Sequence, residues 1–158
     1  MFSIYKKDLQ SFFFTPFAYI VTALFLFMFT FMFNSSLGDL NQPTHYFSFA
    51  NIFYNVIIMF IFLIPILTMR TFADERKFGT EVLLMTSPIN VVQIILGKYL
   101  ANITVFLFML VCSLFFPIYA SIKGEVVMSQ LICAYLGFFL WGSMYIAIGQ
   151  LVSSFTEN

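Results

Sequence analysis

Charge is scarce in this sequence: seven basic and seven acidic residues among 158 make 9%, where a soluble domain carries roughly a quarter. With 61% hydrophobic residues and a mean hydropathy of +0.97, water is excluded as the solvent for most of the chain. A net charge of zero removes any global field that would attract nucleic acid or an acidic partner, so electrostatic function is confined to local clusters. A single histidine, His45, and two cysteines provide no Cys/His metal cluster, no disulfide framework and no H-E-x-x-H motif. Cys112 and Cys133 both lie in apolar runs and read as small packing or lipid-facing residues. A phosphate-cradling loop is missing too. G-x-x-x-x-G-K-[ST] is approached only at Gly97-Lys98, which has Val92 at the first glycine position and Tyr99 after the lysine. These absences argue against a nucleotide site, a metal site or catalysis in this chain.

What the sequence does contain is four charge-free apolar runs, at residues 17–33, 52–69, 99–120 and 126–152. Each is near the ~20 residues that cross a bilayer core, so the fold class predicted for residues 1–158 is a single all-α integral membrane domain. A cleaved signal peptide does not fit the first run, which is longer than the usual h-region and is followed by Asn34-Ser35-Ser36-Leu37, a poor cleavage site. Lys6, Lys7, Arg70, Arg76, Lys77 and Lys98 fall on one side of these spans and Lys123 alone on the other. The positive-inside rule then places both termini and residues 70–98 in the cytoplasm and the loop holding His45 outside.

Before the first span, Phe2, Tyr5, Leu9, Phe12 and Phe13 repeat at helical spacing, with Lys6, Lys7, Asp8 and Gln10 around the other side. This pattern over residues 1–15 predicts an amphipathic helix lying in the membrane interface, with Pro16 suited to the first turn of the next helix. Within the spans no ionisable residue is expected; the polar residues there are neutral, such as Asn55, Asn102, Ser113, Gln130, Ser143 and Gln150, and suit helix contacts better than proton relay. Ser143 with Ala147, and Gly149 with Ser153, are small residues at spacings that let helices approach. Pro65 and Pro117 are expected to kink their spans where neighbours satisfy the freed carbonyls.

Half of the fourteen charges fall on Arg70, Asp74, Glu75, Arg76, Lys77, Glu81 and Lys98. Residues 74–77 read as a polar helical continuation of the second span, broken at Gly79. Thr80 then suits an N-cap and Glu81 the first turn of a short helix carrying Val82, Leu83, Leu84 and Met85, stopped by Ser87-Pro88. A short apolar helix flanked by charge fits a hydrophobic groove on a partner protein, and it equally fits an interfacial turn resting on lipid.

Tyr5-Lys6-Lys7-Asp8, Thr15-Pro16, the run Pro65-Ile66-Leu67-Thr68-Met69-Arg70, Glu75-Arg76, Gly79-Thr80-Glu81, Leu83-Leu84, Ser87-Pro88 and Gly97-Lys98 together resemble the membrane permease subunits of bacterial type-2 ATP-binding cassette (ABC) exporters. Residues 65–98 are the specific part of the likeness. The resemblance implies that residues 1–15 form an elbow helix and that residues 80–86, within the segment 70–90, form a coupling helix on a separate ABC ATPase subunit. By position it assigns the ATPase contact to Glu75, Arg76, Gly79, Thr80, Glu81, Val82, Leu83, Leu84 and Met85. ATP and Mg would be bound by that partner, and a second permease chain, identical or different, would complete the transporter in the lipid bilayer. Family members have six spans, so the expectation is a permease without its last two. Two functions stay open on these grounds: export of a substrate driven by the partner's ATP hydrolysis, and a non-transporting scaffold or regulator that binds a cytoplasmic partner. A proton-coupled four-span exporter is set aside for want of an intramembrane carboxylate.

Overall fold

A computed structural model of the chain describes residues 2–38, 49–77, 91–123 and 127–155. Six helices make up the described residues: α1 (Phe2–Phe14), α2 (Phe17–Gly38), α3 (Phe49–Lys77), α4 (Val91–Ser113), α5 (Phe115–Lys123) and α6 (Met128–Phe155). Among the described residues four stretches are long and apolar enough to cross a bilayer: Phe17–Ser36, Phe49–Met69, Val92–Ile122 and Met128–Ser154. The third runs through α4 and α5. A helix that is apolar all round, as α2 and α6 are, has no solvent face to turn outward in water, which is the mark of a membrane span. The chain is thus an all-α, multi-pass membrane protein.

The spans form a ring in which α2 packs on α3, α3 on α6, α6 on α4 and α4 back on α2; the α3 and α6 interface is the most extensive. The middle of the ring is filled with aromatic rings. Phe138 of α6 meets Phe53 and Phe60 of α3 at centroid distances of 4.8 and 5.1 Å, Phe106 of α4 at 5.8 Å and Phe25 of α2 at 6.5 Å. Edge-on and tilted rings at these distances add roughly 0.5–1.5 kcal/mol per pair beyond area burial. In lipid, where apolar surface alone does not drive helices together, such contact energy matters more than it does in water.

Two glycines of α6 set how closely its neighbours approach. A Cβ at Gly142 would overlap the Phe106 ring, and one at Gly149 would lie 2.7 Å from Thr68 Oγ1 and 3.1 Å from its Cγ2. The packing seam of α6 therefore runs through Gly142, Gly149 and the buried Ser153, whereas Ala147 is exposed and takes no part in it. Polar side chains in the spans largely bond their own backbone: the hydroxyls of Thr22, Thr30 and Ser143 donate to the carbonyls of Ala18, Leu26 and Leu140, and Asn55 donates to Asn51. Tyrosine hydroxyls bond between helices, Tyr5 to Thr104 at 3.1 Å, Tyr99 to the Ser143 carbonyl at 3.2 Å and Tyr135 to the Ser113 carbonyl at 3.2 Å.

The two span prolines behave differently. Pro65 lies inside an unbroken α3, with Thr68 Oγ1 donating to its carbonyl at 3.2 Å. Pro117 coincides with a break, since α4 stops at Ser113 and α5 starts at Phe115.

Candidate coupling site

Segment 70–90 was singled out by its charge, and the structure frames it from both sides. Helix α3 continues through Lys77, eight residues past the apolar span that ends at Met69, or about 12 Å of helix. Glu75 and Arg76 lie on this extension, as the polar helical continuation predicted. Helix α4 is described from Val91, eight residues before the start expected for the charge-free run, because a lysine interrupts a charge-free count without interrupting a helix. Gly79, Thr80, Glu81, Val82, Leu83, Leu84 and Met85 lie outside the described residues, as does His45.

Beside this frame sits α1, which packs chiefly along α4. Its inward line is Ile4, Asp8 and Phe12, one turn apart, while Lys6, Lys7, Gln10 and Ser11 are exposed. Asp8 was expected on the polar side; it is instead buried, at 8% exposure, and its Oδ2 lies 3.6 Å from Nζ of Lys98, which is 1% exposed. Lys98 is correspondingly not a rim residue but the eighth residue of α4, within the third apolar stretch, so the spans do contain one ionisable side chain. A buried charge persists only when paired, and this pair draws its partners from two helices. Tyr5 to Thr104, and Phe13 to Phe108 at a centroid distance of 5.4 Å, extend the contact. Tyr5 and Phe13 of the stripe expected to rest on lipid thus rest on α4, and Phe14, outside that stripe, is 85% exposed.

The spans carry further buried polar groups. Asn102 follows Lys98 one turn later on α4, Thr68 lies on α3, and Gln150 and Ser153 lie on α6. Gln150 Nε2 is buried with no hydrogen-bond partner among the described residues. Sequence reasoning counted Asn102 and Gln150 as contact-forming polar residues, and their burial fits that. It missed the Asp8 to Lys98 pair, for which the available signal was a lone acid on α1 and a lone base in an otherwise apolar α4.

The profile of the ABC-2 family transporter protein matches residues 36–158. No curated protein and no solved structure gives a significant match. The matched region takes in the end of α2, the whole of α3 to α6 and the segment framed by α3 and α4. The chain belongs to the ABC-2 family of transporter membrane proteins.

Proposed function

We propose that this permease subunit couples ATP hydrolysis on a separate ABC ATPase to outward movement of a substrate, with residues 80–86 as the docking element. Membership of the family implies association with an ABC ATPase. The observation that supports the finer reading is where the flanking helices lie in the chain: α3 projects about 12 Å beyond its apolar span on one side, and α4 is described from Val91 on the other. A force applied between them reaches two membrane helices directly. In this reading Leu83, Leu84, Val82 and Met85 enter an apolar groove on the ATPase, Thr80 caps their helix, and Glu75, Arg76 and Glu81 orient the contact by charge, with Gly79 as the break. ATP and Mg belong to the partner.

The Asp8 to Lys98 pair adds a role for α1. Because α1 is fixed to α4 two turns beyond Val91, displacement of the docking element moves α1 with α4. The excess of basic residues at this end, including the exposed Lys6 and Lys7, supports a cytoplasmic location for it and for both termini, in an inner membrane.

The interior of the ring is filled by Phe25, Phe53, Phe60, Phe106 and Phe138, so a passage for substrate does not run through these four spans. That favours a path shared with a second permease chain, and it is also the observation that keeps the scaffold reading in view. Leu83→Asp with Leu84→Asp tests the docking assignment. Loss of the ATPase from the purified complex, with the membrane subunit still folded, is the expected result; unchanged co-purification contradicts it.

A further inference from the structure

The break in the third span joins a proline, a buried carbonyl and a tyrosine from another helix. In an unbroken helix the amide of residue 117 would donate to the carbonyl of Ser113; Pro117 has no N–H, so that acceptor is released inside apolar surroundings. The backbone tightens there, with the Leu114 amide donating to the Val111 carbonyl three residues back at 3.1 Å, and a new helix starts as the Ile118 amide reaches the Leu114 carbonyl at 3.3 Å. Tyr135 of α6 takes the place of the missing amide. Its hydroxyl lies 3.2 Å from the Ser113 carbonyl oxygen and 3.1 Å from Ser113 Oγ, while Oγ itself donates to the Leu110 carbonyl at 2.8 Å.

Beyond the break, α5 turns Phe115, Ile118, Tyr119 and Ile122 outward and is held on its other face by the buried Pro117 and Ala120 and by the ring contacts of Phe116 with Phe29 and Phe33, at 5.0 and 5.3 Å. Leu114 and Tyr135 also line an open apolar groove of about 290 Å³ between α4 and α6, so there is room beside the break. A short helix fixed along one face and set beside a helix break is where a local opening costs least.

We infer that α5 is a hinged lid at the far end of the third span, swinging about Leu114 and latched by the Tyr135 hydroxyl on the carbonyl that Pro117 leaves free. The latch stands on these contacts alone and does not depend on the ATPase reading. It is a reversible contact by design of its chemistry: one hydroxyl proton replaces a helical amide, and releasing it leaves the covalent chain and the α4 helix intact.

The test uses the full chain in lipid nanodiscs, with Cys112→Ala and Cys133→Ala, spin labels at Asn34→Cys on α2 and Ile122→Cys on α5, and the distance distribution read by double electron–electron resonance. The latched protein is expected to give one dominant distance. Tyr135→Phe should raise a second, displaced population about five-fold, the change that follows from losing one hydrogen bond. Adding Pro117→Ala restores an amide to Ser113 and should return the single distance even with phenylalanine at 135. A distribution unchanged by Tyr135→Phe, or one that stays broad after Pro117→Ala, overturns the latch. Should Tyr135→Phe fail to fold, the Tyr135→Phe, Pro117→Ala double variant still decides, because the restored amide must give the parent's single distance without the hydroxyl, and a broad distribution there overturns the latch.

Discussion

Asp8 and Lys98 face each other at 3.6 Å inside the protein, one on the amino-terminal helix and the other two turns into the third span. Removing one member of a buried ion pair strips the other of its opposite charge, which typically costs about 3–5 kcal/mol, whereas replacing both by apolar side chains of similar size is often neutral. Asp8→Leu and Lys98→Met are therefore each expected to lower the unfolding midpoint in mild detergent, and the double variant to recover most of the loss. Additive losses in the double variant would mean that the two side chains do not act as a pair.

The three glycines of α6 within the span give a graded prediction. Gly142→Ala drives a methyl into Phe106, which is fully buried and boxed in by Phe60, Phe138 and Phe139, so overpacking of about 1–3 kcal/mol is expected. Gly149→Ala meets Thr68, a stiff β-branched side chain already bonded to Pro65, and should destabilise too. Gly137 has nothing within 4 Å of its Cβ position, so Gly137→Ala should be neutral or gain up to about 1 kcal/mol from helix propensity. Thermal unfolding of the three variants in one detergent checks the order.

Phe138 is the ring on which the four spans converge. Phe138→Ala should cost about 3–5 kcal/mol, and Phe138→Leu distinctly less, because the cavity it leaves is smaller. Equal effects of the two substitutions would show that the centre of the ring relaxes around the loss.

Helix existence was legible because apolar runs of this length have one stable answer in lipid, and the polar extension of α3 was legible from the charges that follow Met69. The kink sites were legible from proline, yet only Pro117 interrupts its helix, since α3 remains continuous around Pro65. Asp8 was misplaced for a physical reason. Helical periodicity assigns every charge to the wet face, but a carboxylate can turn inward when a base waits on the neighbouring helix, and that base lies 90 residues away in sequence. Lys98 was misplaced with it, having been used as a boundary marker for the span it enters. Gly142 passed unnoticed because a glycine's partner, here Phe106, is set by the register between α4 and α6, which periodicity along one helix does not contain. Nine residues were assigned to ATPase contact; Glu75 and Arg76 lie on the α3 extension and the other seven fall outside the described residues, so that assignment stands as part of the proposal.

If an ABC ATPase docks on residues 80–86, between α3 and α4 in the chain, it should travel with this subunit through purification. The most direct measurement is purification of the full chain through a carboxy-terminal tag after gentle cross-linking in its native membrane, alongside the Leu83→Asp, Leu84→Asp variant, with partners identified by mass spectrometry. The account predicts a stoichiometric partner carrying G-x-x-x-x-G-K-[ST], retained by the parent chain and lost from the variant. No such partner, or one that the variant retains equally, would contradict it.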